Sequence, residues 1–390
     1  MAVINIFVPP FHARKFSGGL LTVFEYANGF VTQGHTVRVI PIEPSPRPNW
    51  FEPKFELMSP TIHPLRLFGA LPELLEALLR SDKAKIKKTI GQVMTYFARG
   101  ASYSFRRARQ IELLRGQVPP ADISLATSYQ TALLVYLYGS GQKYYFAQHY
   151  EPYFSVDAED PSLAFIDALL TYHFPDIQII ANSTWLAERL REQTGRHIPI
   201  CPNAIDHTVF FPEGNPPNPA EKFVVISYGG RLAKWKGFQE AAEAIRLARE
   251  RLPHLEWQVF GDAVLPPDNS IAPYKSLGFI AGNDLRRAYS AAHVLLASSW
   301  YESFPLFPLE AMACGTAVVT TPHGVEDYAQ HMWNTYIVPP REPEAMAEAI
   351  VRLYKDSTLR RALAERGLKD ARNFTWERSV ARMAELMGLK

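Results

Sequence analysis

Residues 3–40 read VINIFVPPFHARKFSGGLLTVFEYANGFVTQGHTVRVI, and this stretch decides the fold. Val3–Val8 is a β-rich run, followed by a loop that closes on Ser17-Gly18-Gly19. Leu20, Val23, Phe24, Ala27 and Phe30 then recur at i, i+3, i+4 and i+7, the spacing of one helical face. Gly34-His35 stops the helix, and Thr36–Ile40 is a second, buried strand. Strand, glycine turn, helix and strand make a βαβ unit, which implies a parallel sheet. Farther on, Ile123–Ala126, Lys143–Phe146 and Ile177–Ile180 read as short strands. Leu71–Leu79, Ile86–Phe97 and Thr184–Thr194 read as helices, the last with Ser183 as N-cap. The same rhythm restarts after Asn203–Pro219, a loop with four prolines (Pro212, Pro216, Pro217, Pro219) that reads as a linker. Lys222–Tyr228, Trp257–Phe260, Val294–Ala297 and Ala317–Thr320 are the strands there, and Phe238–Arg251 and Leu306–Cys314 the helices. The fold class is therefore α/β, with two Rossmann-like domains expected to face each other across a cleft; ligands bind at the carboxyl ends of parallel strands.

The chain has 390 residues, 47% of them hydrophobic and 21% charged, which excludes disordered and fibrous classes. No apolar run reaches the ~18–20 residues of a membrane span, and MAVINIFVPPF reads as a first strand rather than a signal peptide. Cys201 and Cys314, far apart in apolar surroundings, read as reduced buried thiols of a cytoplasmic protein. No Cys/His cluster has zinc-ligand spacing. The net charge of +2 hides an asymmetry: Arg80–Arg115 holds ten basic and two acidic residues, so it carries +8 against −6 elsewhere. That segment reads either as a solvated helical face or as a surface for an anionic membrane or acceptor.

Three stretches carry chemistry. Ser298–Val319, SSWYESFPLFPLEAMACGTAVV, sets Glu302 beside a helix start and Glu310 one turn inside it. A helix N-terminus offers unpaired N–H groups and a positive dipole end, a place for phosphate. On the residues alone, the pair is read first as a helix-start acid, Glu302, and a solvated face residue, Glu310. Ser227–Gly237, SYGGRLAKWKG, places Arg231 and Lys236 after a glycine turn, either as a diphosphate clamp or as an exposed basic loop. Gly18-Gly19 is a third turn whose backbone a phosphate can approach. Trp300 and Tyr301 precede Glu302, able to touch a sugar or simply to pack.

Taken together and in order, these residues resemble the family 4 glycosyltransferases, retaining enzymes of the GT-B fold. Gly18-Gly19 and Gly34-His35-Thr36-Val37 resemble the family's glycine loop and GH-x-V strand entry. Pro202-Asn203-Ala204-Ile205-Asp206 is similar to PNGID, with alanine where glycine is usual. Gly230-Arg231-Leu232 through Lys236-Gly237 resembles GRL…KG, and Glu302 to Glu310 resembles E-x7-E, continuing into Ala311-Met312-Ala313-Cys314-Gly315. Phe374-Thr375-Trp376-Glu377 resembles the entry to the family's last helix. The resemblance implies an acceptor-binding domain over 1–203, a nucleotide-sugar domain over 204–373, and a helix over 374–390 that packs back on the first. It also implies roles: Arg231 and Lys236 grip the donor diphosphate, Glu302 lies by the transferred sugar, and Glu310 holds the ribose hydroxyls. The amides of Phe304 and Leu306 complete a phosphate cradle, with Pro305 standing where glycine is common and removing one N–H donor.

Gln148-His149-Tyr150-Glu151-Pro152 resembles the Q-x-YEP stretch of a rhamnosyltransferase subgroup, and His149 matches the histidine the family often carries near the anomeric centre. By itself, a histidine in an aromatic strand is also a packed core residue. The expected reaction is sugar transfer from a nucleoside-diphosphate donor to a glycan or lipid-linked hydroxyl, with configuration retained. It is expected to need no metal or other cofactor, and nucleic acid is not an expected partner. Two other readings stay open: a nucleotide-sugar epimerase on the same scaffold, and a catalytically silent nucleotide-sugar-binding protein.

Overall fold

The structure is a computed structural model and describes residues 1–14, 17–61, 103–158, 160–229, 233–261 and 272–389. The expected helices Leu71–Leu79 and Ile86–Phe97 lie outside the described residues, as do Gly230, Arg231 and Leu232.

In chain order the first half runs β1 Val3–Val8, α1 Gly18–Thr32, β2 Thr36–Pro41, β3 Glu56–Leu57, α2 Tyr103–Leu114, β4 Ile123–Ala126, α3 Tyr129–Tyr138 and β5 Gln142–Ala147. A 3-10 turn at Glu151–Asp157 leads to α4 Pro161–Thr171, β6 Ile177–Ala181 and α5 Thr184–Thr194. The second half runs β7 Phe223–Tyr228, a 3-10 turn Lys234–Lys236, α6 Phe238–Arg251, β8 Leu255–Phe260, β9 Lys275–Gly278 and α7 Gly282–Ser290. It ends with β10 Val294–Ala297, α8 Leu306–Ala313, β11 Ala317–Thr320, β12 Tyr336–Ile337, α9 Pro343–Lys355, α10 Ser357–Ala371 and α11 Trp376–Leu386.

Two sheets result, with strand orders β3-β2-β1-β4-β5-β6 and β12-β11-β10-β7-β8-β9. Renumbered within its own half, each sheet reads 3-2-1-4-5-6, the doubly wound order with a switch point between its first and fourth strands. β1 pairs in parallel with β2 and β4, and β7 with β8 and β10. Strands covered on both faces are nearly continuous apolar runs, which is why β10 is VLLA and why β4, β7 and β11 are broken only by Ser124, Ser227 and Thr320, all buried. Trp257, fully buried on β8, donates its indole N–H to Ser227 Oγ at 2.7 Å, so a large apolar group is buried without orphaning its donor.

The chain divides into two units: Met1–Ile180 with Leu190–Ile198 and Ala384–Lys390, and Ala181–Arg189 with Pro199–Met383. This differs from a boundary at 203, and side-chain bonds give the reason. Ser303 Oγ is bonded to Asn182, Thr184 Oγ1 donates to Asp327 at 2.6 Å and Thr184 N–H donates to Asp327 at 2.9 Å. The proline loop is likewise no loose linker. Arg286 holds Glu213 at 2.8 Å, and His293 accepts from Val224 N–H at 3.0 Å while its other ring nitrogen meets Pro217 O at 3.0 Å.

Two local readings change. Gly18 and Gly19 are the first two residues of α1 rather than a preceding loop. Arg107 of the basic segment is not on a solvated face: it is 8% exposed, and its guanidinium meets Asp167 of α4 at 2.9 Å. Arg115 pairs with Glu112 at 2.7 Å, and most of the remaining segment lies outside the described residues.

α4 packs the wrong way round for a soluble helix. Asp160 caps it, accepting from Leu163 N–H at 3.0 Å. Its buried face is Ala164, Ala168 and Thr171, whereas Leu163, Phe165, Ile166 and Leu170 are 42–57% exposed.

Candidate active site

In the second unit, the site forms where β7, β10 and β11 end. β7 delivers the chain through Tyr228 to the 3-10 turn, which puts Lys236 next to Gly237 in left-handed conformation (φ +68°). A side chain at 237 cannot exist: its Cβ would lie 2.0 Å from Ser298 O. The turn after β7 therefore lies directly on the loop after β10, and Ser298 Oγ donates to Lys236 O at 3.2 Å while Trp300 N–H donates to Trp235 O at 2.7 Å.

This contact brings the two predicted groups together. Lys236 Nζ donates to Glu302 Oε1 at 2.6 Å, and Ser299 Oγ donates to the same oxygen at 2.8 Å. Both charged side chains are mostly covered, 22% and 16% exposed. Beneath Glu302, Gly324 (φ +89°) approaches so closely that a Cβ there would meet Glu302 O at 2.3 Å. Tyr228, Lys236, Ser298, Ser299, Glu302 and His323 line one cavity of about 30 Å³, the room of one or two waters. Burial and the Arg189 guanidinium hold the His323 pKa below the usual imidazole value.

α8 starts at Leu306, with Pro305 as the residue before its first turn and Pro308 where no N–H is needed. Among the described residues the Phe304 and Leu306 amides donate to no acceptor of the protein. The Phe304 ring is buried against Tyr328 and Phe374 at 5.3 and 6.0 Å. Glu310 is not a solvated face residue: it is 7% exposed and accepts from Tyr289 Oη at 3.3 Å. Burial pushes its carboxyl up to about 8, with the tyrosine bond pulling only weakly against this.

In the first unit, Gly18 and Gly19 open α1, and a Cβ on Gly19 would touch Gln148 at an ordinary 3.5 Å. Neither glycine has positive φ, so what they provide is open space at a helix N-terminus, not a special turn. His149 is 8% exposed, with Nδ1 3.3 Å from Tyr150 O and its ring 4.2 Å from Phe154. Its neighbour Glu151 is structural: it accepts from Tyr129 N–H at 2.6 Å, at the first turn of α3, and from Tyr145 Oη, and burial pushes it up to about 8.

The family profile described as Glycosyl transferases group 1 matches residues 223–356, the stretch from β7 through α9. A D-inositol 3-phosphate glycosyltransferase of Salinispora arenicola is 30% identical over 186 residues, 43% of this chain and 42% of that protein, so the match spans less than half of the relative's length. The sucrose-phosphate synthase of Thermosynechococcus elongatus superposes with TM-score 0.70 at 19% identity, covering 100% of this chain and 98% of that one. Anabaena Alr3699/HepE, solved with UDP-glucose, superposes with TM-score 0.69 at 16% identity over 100% of both chains. Residues 223–356 are thus a glycosyl transferases group 1 domain, carried in a chain of the GT-B fold.

Proposed function

We propose that this protein is a retaining glycosyltransferase that moves a sugar from a nucleoside-diphosphate donor to an acceptor hydroxyl. The observation that carries the reading is the covered Lys236–Glu302 pair, 2.6 Å apart at the sheet's switch point and in front of α8. Lys236 and Glu302 line one cavity and are bonded to each other, so a diphosphate that binds there takes the Lys236 ammonium from Glu302. Released, Glu302 turns its carboxylate to the sugar hydroxyls. The Phe304 and Leu306 amides and the dipole of α8 meet the phosphate oxygens, and Arg231 is proposed as the second cation of the clamp.

In the reaction the bond between the anomeric carbon and the diphosphate oxygen breaks, and its electrons stay with the diphosphate. Positive charge grows on the sugar ring and negative charge on the leaving group, which fixed cations and amides stabilise without reorganising. The acceptor oxygen attacks on the face the diphosphate leaves, and its proton passes to a departing phosphate oxygen. Configuration is then retained without a covalent intermediate. His149 is proposed near the anomeric side and Glu310 at the ribose. HepE's UDP-glucose supports a nucleotide sugar as donor. The +8 charge of Arg80–Arg115 supports an anionic membrane or acceptor surface for that segment.

The test is a thermal-shift screen of nucleoside diphosphates and their sugars. A ligand at 100 times its Kd adds about 2.7 kcal/mol. The hit is then incubated with acceptors and the product anomer assigned by NMR. No stabilisation by any nucleoside diphosphate, or an inverted anomer, overturns the reading. Turnover of the donor with no acceptor present would favour the epimerase instead.

A further inference from the structure

Beside the Lys236–Glu302 pair stands a ladder of rings. Trp235 stacks on Tyr301 with centroids 5.3 Å apart and planes 9° apart, and Tyr301 stacks in turn on Trp185 at 6.5 Å and 6°. Trp185 is 5% exposed, so the ladder is anchored in the interior of the second unit. At its outer end the Lys236 ammonium lies 4.1 Å over the centre of the Trp235 ring.

We propose that Trp235 is a positioning residue for Lys236, keeping the ammonium aimed while its anionic partner is exchanged from Glu302 to a diphosphate. The inference deepens the donor-binding reading above and rests on it. A lysine is a point charge on four rotatable bonds, and fixing it costs rotamer entropy. Three groups face it, the Glu302 carboxylate at 2.6 Å, the Trp235 indole at 4.1 Å and, farther off, the Tyr228 ring at 6.0 Å, so the indole is the nearer of the two rings. An incoming phosphate competes with the carboxylate, since both are anions on the same ammonium. It does not compete with the indole, whose hold comes from the ring quadrupole. The indole is thus the partner that persists through the exchange.

Two alternatives are weaker. A sugar cannot use the face that the ammonium covers. A role in merely joining the two loops is already met by the main chain, through Trp300 N–H to Trp235 O at 2.7 Å, which survives any substitution of the ring.

The experiment is a double-mutant cycle read by calorimetric binding of inorganic pyrophosphate. Trp235→Leu is expected to weaken binding ~3–30-fold in the native background and less than twofold once Lys236 is Met. Trp235→Phe, which keeps a ring face, should stay within about threefold of the parent. If Trp235→Leu does not fold, the Phe variant in both backgrounds carries the test, with its smaller loss again confined to chains that keep Lys236. An equal cost in both backgrounds, or no cost at all, overturns the positioning role while leaving the donor reading intact. A parent protein that binds neither pyrophosphate nor any nucleoside diphosphate overturns both.

Discussion

Lys236 illustrates how much of a residue's work is done by its neighbours. A lysine at the surface would wander; here a carboxylate, an indole and a turn closed by Gly237 hold it in one place. Lys236→Ala is expected to lower turnover by on the order of 10²–10³, the cost of one preorganised charge donor, and Lys236→Arg should restore only part, because the fork does not fit a site shaped for a point charge. Steady-state kinetics on a common donor checks both. Gly324→Ala should fail differently: its Cβ would push on Glu302 O, so we expect a loss of about 2–4 kcal/mol in urea unfolding together with displaced Glu302 and reduced turnover. Glu310 gives a pH signature. Its carboxyl is raised from 4.5 to about 8, so the unfolded chain ionises first and stability falls as pH rises from about 4.5 through about 8. Glu151, raised likewise to about 8, adds a slope of the same sign. Glu310→Gln, which mimics the protonated form, should therefore flatten the slope by its own share, on the order of 2–4 kcal/mol; melting curves from pH 5 to 9 with the slope of the parent unchanged would count against it. None of this could be read from residue type. Glu302 and Lys236 were legible because their spacing follows a strand and a helix start. Gly324, His323 and the burial of Glu310 depend on a left-handed φ, a loop's path and a tyrosine 21 residues away, which no local pattern encodes.

Among the elements, those with strong local signals match the reading of the sequence residue for residue. β4, β10 and β11 are short apolar runs between turns, and α5 has the expected cap, with Ser183 Oγ accepting from Leu186 N–H at 3.1 Å. Helices α2, α3, α7, α9 and α10 were not expected from the sequence, although α3 carries a capping box at Ser128 and α9 opens on Pro343; the other missed elements have tertiary reasons. β3 and β12 are two residues each, too short for any period, and β9 reads KSLG because it lies at a sheet edge. α4 was missed because its large apolar residues face outward. This inversion makes an unusual prediction: Ile166→Lys or Leu170→Lys should change stability by no more than about 0.5 kcal/mol, whereas Ala168→Leu, on the packed face, should cost about 1–3 kcal/mol. Chemical denaturation of the three variants decides it, and equal costs would mean that α4 packs through its other face.

At the scale of the whole molecule, the same strand order appears twice with different sequences, and each unit has its own sheet. A fragment over residues 181–383 is expected to unfold cooperatively and to bind pyrophosphate, because the Lys236–Glu302 pair, the ring ladder and α8 all belong to the second unit. A fragment with no unfolding transition would show that the two units fold only together. The distribution of sulfur makes such events separately visible. The sequence has two cysteines, Cys201 and Cys314; both are buried and both belong to the second unit. Burial beside Glu310 pushes the Cys314 thiol up to about 12, so the thiolate that alkylating reagents attack is scarce until the core opens. A thiol-reactive dye added to a Cys201→Ser variant is therefore a clock wired to one half of the molecule: its labelling of Cys314, packed in the core beside α8, follows the opening of the second unit.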